Sequence, residues 1–180
     1  MAINYVDNNK MYAVICEYLD ACNVAEEKGE EIPRIPEYLG KCFIDIANGY
    51  AKKPRFCMYA FVEDMKADAI INCVKYIRTF KPEKTKNPFS YFTAAAHNAF
   101  LQRVETERDS LCARYYTYQN LQIEEQMNGE HGVCPEELNE ISNDFIKNHE
   151  KMKQERKERA KAKMAEKKAN ELSKFYDGDE

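Results

Sequence analysis

Two groups of side chains in the middle of the chain have the types and spacing for recognition chemistry. Asp64 and Asp68 stand four residues apart, with Glu63, Asn72 and Lys75 around them. On a helix that spacing places the carboxylates on neighbouring turns of one polar surface, where charge can orient a partner. Further along come Tyr91, His97, Asn98, Gln102 and Arg103. Aromatic rings stack on exposed bases, while amide and guanidinium groups reach base edges or phosphates. Taken singly, the residues around Asp64 and Asp68 read more simply as solvated surface groups, and Tyr91 as readily as a ring packed in the core. Neither group is arranged for catalysis. His97 has no matching carboxylate pair, nucleophile or metal cluster, so no catalytic residue and no enzyme activity are assigned. His131 and Cys134 make an H-x-x-C pair without nearby ligands, too little for a zinc site. No metal or cofactor is expected.

The elements that must position these residues are helices. Val62, Met65, Ala69, Ile70, Cys73, Val74, Ile77 and Phe80 recur at helical spacing and predict one core-facing stripe. Lys81–Lys86 is polar and contains Pro82, which ends that helix nearby. Asn87 is a candidate cap and Pro88 suits the first turn of a second helix. Phe89, Phe92, Ala96, Phe100 and Val104 form its apolar stripe. Upstream, Asn8 or Asn9 is expected to cap a first helix whose apolar surface is Met11, Tyr12, Val14, Ile15, Tyr18, Leu19 and Cys22. Gly29, Pro33 and Pro36 break the chain before a helix over Tyr38–Tyr50, which Gly49 is expected to help terminate. Lys52, Lys53 and Arg55 around Pro54 read as a solvated loop, or as a nucleic-acid or polymerase contact.

After Val104 the helix is expected to continue through Arg108, with Cys112–Met127 as a further helical piece. Tyr115, Tyr116 and Tyr118 lie there, suited to stacking on DNA or to packing. Asn128–Pro135 reads as a flexible connection. Leu138, Ile141, Phe145 and Met152 offer a narrow apolar stripe in an acidic stretch. Lys151–Ala169 then holds nine Lys/Arg against three Glu, a local formal charge of +6. It reads as a helical or partly disordered arm that electrostatics draws to DNA.

With 44% hydrophobic and 32% charged residues in 180, one moderate domain plus extensions is accommodated. No stretch approaches a transmembrane span, and no secretory leader is expected. The seven cysteines are odd in number and lack paired C-x-x-C spacing, which favours reduced thiols in a cytoplasm. A net charge of −4 is unusual for a protein that binds DNA alone. Either a partner supplies most DNA contacts or a local basic surface does.

The segment FKPEKTKNPFSYF (Phe80–Phe92), together with Asp64 and Asp68, resembles conserved region 2 of bacterial sigma factors. There an F-x-P-E-K…F-S-x-Y junction follows an acidic D-x-x-x-E pattern. The match is closer to the reduced late-transcription sigma factors of T4-like bacteriophages, and runs ungapped from Glu63 to Arg103. The ending is similar too: Leu172, Phe175, Tyr176 and Asp177 match that family's sliding-clamp-binding pattern L-x-x-L-Y-E, with Lys174 at an apolar family position. A further departure lies at Ala95 and Ala96, where housekeeping sigma factors carry adjacent tryptophans; this chain has none.

The resemblance implies an all-α fold, a compact multi-helix bundle like sigma domain 2 over 1–108. Residues 109–134 would form a helical continuation and connection, 135–169 a charged extension, and 170–180 the clamp-binding tail. It implies that Glu63, Asp64, Asp68, Asn72 and Lys75 bind the largest-subunit coiled coil of the host RNA polymerase core. It implies that Tyr91, His97, Asn98, Gln102 and Arg103 read a short AT-rich promoter in the host bacterial cytoplasm. A DNA-loaded phage sliding clamp and a late-transcription coactivator would strengthen initiation. The alternative is a DNA-binding polymerase adaptor that regulates transcription without base readout.

Overall fold

The computed structural model describes the backbone of residues 6–127 and 136–176, and the side chains of 6–124 and 139–169. His131, Cys134 and Asp177 lie outside the described residues, as do the side chains of Leu172, Phe175 and Tyr176. Among the described residues the regular elements are all helical: α1 (Asn8–Lys28), α2 (Glu37–Ala51), α3 (Val62–Tyr76) with a 3-10 turn (Ile77–Thr79), α4 (Pro88–Met127) and α5 (Glu136–Tyr176). It folds as two compact units, Met1–Thr106 and Glu107–Glu180, and α4 contributes to both. No helix among the described residues is long and apolar enough to cross a membrane.

The first unit is a multi-helix bundle whose boundaries follow from local chemistry. Asp7, rather than Asn8 or Asn9, caps α1; its Oδ1 accepts from the Asn9 and Lys10 amides at 3.0 and 3.1 Å. Asn8 instead accepts from the Phe89 amide at 3.1 Å, tying the start of α1 to the start of α4. α1 stops at Gly29, whose φ of 69° is the left-handed conformation that costs glycine little. Gly49 does not stop α2. It sits within the helix, which runs to Ala51 because Tyr50 and Ala51 are both buried and continue the apolar face. At α4, Asn87 Oδ1 accepts from the Ser90 amide at 3.0 Å and Pro88 is the first helical residue, as the sequence predicts.

One core joins α1, α2, α3 and the first part of α4. Met11, Ile15 and Cys22 from α1 meet Leu39, Phe43 and Ile46 from α2 and Met65, Ala69 and Cys73 from α3. Two ring clusters close it. Phe92 packs on Phe43 at 4.8 Å and on Phe80 at 6.1 Å; Phe100 packs on Tyr50 and Phe56 at 5.4 and 5.1 Å. Phe92 and Phe100 are both fully buried, and truncating such a ring to alanine typically costs about 3–5 kcal/mol. Burial pushes the Cys73 thiol up to about 12, so it packs as a small neutral group. Val74, expected in the α3 stripe, is instead 41% exposed. Ile77 and Phe80 fill that side of the core, and Val74 is turned off the buried face.

In the second unit, Cys112–Met127 is the continuation of α4, so the expected separate piece is part of one 40-residue helix. It pairs with the first part of α5. Tyr115 meets Phe145 edge-on at 5.4 Å, and Gln119 Nε2 donates to Ser142 Oγ and Asn143 Oδ1 at 3.1 and 2.8 Å. Ser142 is fully buried yet satisfied, because its hydroxyl donates in turn to the Asn139 carbonyl. Tyr116 bonds Glu150, and Tyr118 accepts from Gln122 at 2.7 Å. Of the expected stripe of α5, Phe145 is half-buried against Tyr115, Ile141 and Met152 are exposed, and the Leu138 side chain lies outside the described residues; Ser142, Ile146 and the half-buried His149 complete the inward face.

Asp109 anchors this pair, with His149 Nε2 at 2.8 Å and Lys153 Nζ at 2.9 Å. The Lys153 ammonium holds the Asp109 carboxyl below its ordinary value, outweighing partial burial, and His149 adds to the effect. A depressed carboxyl pKa stabilises the folded state above the unfolded value of about 4 and ceases to do so as pH falls through the lower folded value. Thermal melts between neutral pH and about pH 3 should therefore show the wild-type melting temperature falling more steeply than that of Asp109→Asn. Parallel curves for the two proteins would contradict this anchor.

Candidate functional site

α3 and α4 carry both groups of recognition residues, and the core fixes which sides face out. On α3, burial of Met65, Ala69 and Cys73 leaves Asp64, Asp68, Ile71 and Lys75 as one outward stripe at i, i+4, i+7 and i+11. Asp64 and Lys75 are exposed. Glu63 is exposed and paired with Lys66 at 2.6 Å; with Asp64 it stands in the first turn, where the helix dipole favours carboxylates. Asn72 is half-buried beside the stripe. Ile71 is 49% exposed, and Val74 stands exposed next to it. Sequence periodicity put Val74 in the core and passed over Ile71. A β-branched residue one position off a buried stripe carries no signal of its own direction.

On α4, burial of Phe92, Ala96, Ala99 and Phe100 leaves Tyr91, Asn98 and Gln102 on a second outward stripe at i, i+7 and i+11. Asn98 and Gln102 are exposed. Tyr91 is half-buried: its ring lies against Phe80 and Phe92, and its hydroxyl is 3.0 Å from Thr79 Oγ1. His97 was expected on the surface, but its Nδ1 meets the Tyr50 hydroxyl at 2.6 Å and its ring is half-buried. Lys53 stands over the other part of that arrangement, 3.7 Å from the Tyr50 ring centroid. The basic loop after α2 and the side of α4 therefore share one tyrosine.

The structure joins the two groups where the sequence kept them apart. Arg103 Nε lies 2.7 Å from Asp68 Oδ2 and Arg103 Nη2 lies 3.1 Å from Asp68 Oδ1. This is the fork-on-carboxylate geometry that only arginine makes. Both side chains are about one-quarter to one-third exposed. The pair forms part of a groove of about 350 Å³ between Asp68, Ile71, Asn72 and Lys75 on α3 and Gln102 and Arg103 on α4. Sequence reasoning missed this pairing because the partners are 35 residues apart and no local pattern connects them.

A larger cleft of about 630 Å³ lies between the end of α2 and the start of α3, with Asp45, Lys52, Glu63 and Lys66 on its walls. Its charges are mixed and its Glu63 and Lys66 pair with each other. Among the described residues no group of three His, Cys, Asp or Glu could hold a metal ion. The arrangement as a whole suits binding: one mixed apolar and charged stripe, one polar stripe, and a groove between them. No family model matches the chain, and no curated protein matches it.

The Asp68–Arg103 fork makes a specific claim about substitution. Urea unfolding of Asp68→Ala, Arg103→Ala and the double variant should give a coupling of about 1–2 kcal/mol, below the range for wholly buried pairs because the groups are partly hydrated. Arg103→Lys should recover less than half of it, since an ammonium cannot make two parallel bonds. Strict additivity would show that the fork contributes nothing to the fold.

Proposed function

We propose that the chain is a dissociable initiation subunit of a bacterial RNA polymerase, a sigma factor for phage late transcription built on a sigma domain 2-like bundle. One observation carries the reading. The segment that resembles the sigma junction, Phe80–Phe92, comprises the connection between the two helices with outward stripes, α3 and α4, and the first turn of α4. The acidic residues of the resemblance lie on the first stripe and the polar residues on the second. In this reading Asp64, Ile71 and Lys75, flanked by Glu63 and Asn72, dock on the largest-subunit coiled coil of the polymerase core. Ile71 supplies the apolar contact that charge alone lacks. Asn98 and Gln102 reach the AT-rich promoter, with Tyr91 at the end of the same stripe.

Several expected roles change in weight. Asp68 and Arg103 act on each other, so each supports its neighbours on the stripes and is a weaker independent contact. His97 orients against Tyr50. Ala95 and Ala96 stand where housekeeping factors carry tryptophans, and Ala96 is fully buried in this bundle. An indole wedge has no counterpart here, and Phe92 cannot substitute because it lies in the core. The clamp contact rests on the sequence of Leu172, Phe175, Tyr176 and Asp177, and the coactivator on the family resemblance. The second reading, a polymerase adaptor without base readout, is favoured by the pairing of Arg103 with Asp68 and of His97 with Tyr50, which leaves few side chains to read bases.

Two exposed pairs separate core binding from promoter reading. Asp64→Ala with Ile71→Ala should weaken binding to purified core by roughly thirtyfold, the scale of one lost hot-spot contact, without changing the urea midpoint. Asn98→Ala with Gln102→Ala should keep core affinity and lose about 1–3 kcal/mol of preference per base contact, read as run-off transcription on a panel of AT-rich promoters. Equal promoter preference in the second variant would favour the adaptor. Unchanged core affinity in the first would reject the sigma reading.

A further inference from the structure

The sequence presents 151–169 as a basic segment; the helix shows how its charge is distributed. α5 runs through all of it, and every residue from 151 to 169 is exposed. At 3.6 residues per turn, eight of the nine cations, all but Lys151, fall within roughly 200° of the circumference. Glu155, Glu158 and Glu166 fall within about 80° on the opposite side, among Gln154, Ala162, Ala165 and Ala169. The charge is thus segregated by face, not merely by stretch. Local pairing reinforces this: Gln154 donates to Glu158 at 2.8 Å. Arg159, at the edge of the basic arc, lies 3.7 Å from Glu155.

We infer that this face of α5 is a binding surface for the phosphate backbone of duplex nucleic acid, without base readout. Three observations select that partner. The face is cationic over the distance from Lys157 to Lys168, about 16 Å along the axis, which spans several phosphates at one charge per 3.4 Å of strand. The opposite face is glutamate, glutamine and alanine around the single cation Lys151, and the only large apolar residues of the segment are Met152 and Met164. A helix that lies in a membrane surface needs a face of Trp, Phe or Leu, and one that fills a protein groove needs periodic apolar anchors; this segment has neither. The root is held as well: Lys153 and His149 close on Asp109 within the second unit, so the helix begins from a fixed pair instead of a free end. The chain's net charge of −4 is then no obstacle, because Glu155, Glu158 and Glu166 lie on the side of this segment away from the bound polyanion. This inference stands apart from the promoter reading, since it concerns other residues and predicts no sequence preference.

The test is a titration of the full-length chain with a fluorescent duplex of about 30 bp without AT-rich sequence, from about 50 to 200 mM salt. Lys157→Gln with Lys161→Gln is compared with Lys28→Gln and Lys41→Gln, which remove the same charge from exposed positions on α1 and α2. Circular dichroism should give both variants the wild-type helix content. The arm variant should lose about 1.8 from the magnitude of the log–log salt slope, at roughly 0.9 per phosphate contact, and about tenfold in affinity at the lowest salt. The control variant should match the wild type. Equal slopes and affinities for the two variants would overturn the inference. A parallel titration with poly-glutamate covers an acidic protein partner: if only that binding depends on Lys157 and Lys161, the assignment to nucleic acid is wrong.

Discussion

The burial of Phe92 and Phe100 on α4 is the constraint from which the outward surfaces follow. The two rings sit eight residues apart and lie against different partners, Phe43 and Phe80 for one, Tyr50 and Phe56 for the other. Between them Ala96 and Ala99 are fully or almost fully buried, which lets the helix approach the core closely. A helix fixed at two points two turns apart cannot rotate about its axis. Its remaining faces are then determined by geometry: Asn98 and Gln102 must point outward, and Arg103 must turn toward α3. The bundle does not position recognition residues one by one. It sets the rotation of α4, and the side chains follow.

The same constraint explains how much the sequence disclosed. Helix existence was legible because apolar residues recur at helical spacing and Pro, Gly and Asn punctuate the gaps. The core members of α2 and α4 were legible for the same reason. Periodicity loses power where polar and apolar residues mix at the edge of a stripe. Val74 and Ile141 were assigned inward and stand outward, and Ile71 was overlooked. Asp7 out-competed Asn8 as the α1 cap, because Asn8 has a tertiary partner in the Phe89 amide that no local rule anticipates. The Asp68–Arg103 fork and the Tyr50–His97 contact belong to the same class. Each joins residues far apart in the chain, so spacing could nominate the members but not pair them.

Charge is organised by surface on α3, α4 and α5, and this reconciles an acidic chain with the nucleic-acid role proposed for it. On α3, acids and Lys75 share a stripe with Ile71, a combination suited to a protein partner, where apolar area gives affinity and charge gives orientation. On the outward stripe of α4 the exposed residues Asn98 and Gln102 are neutral amides, which discriminate hydrogen-bond patterns without strong nonspecific attraction. On α5 the cations collect on one side of an exposed helix. Three surfaces with three chemistries on one small chain fit a factor that joins a protein machine to DNA.

The most direct measurement is site-specific photocrosslinking in a complex of the chain, purified core polymerase and a short AT-rich promoter. A photoreactive residue replacing Ile71 should crosslink to the largest polymerase subunit. One replacing Asn98 should crosslink to promoter DNA, and to it in preference to a scrambled duplex. Crosslinks from position 98 to polymerase alone, or from position 71 to nothing in the complex, would contradict the account.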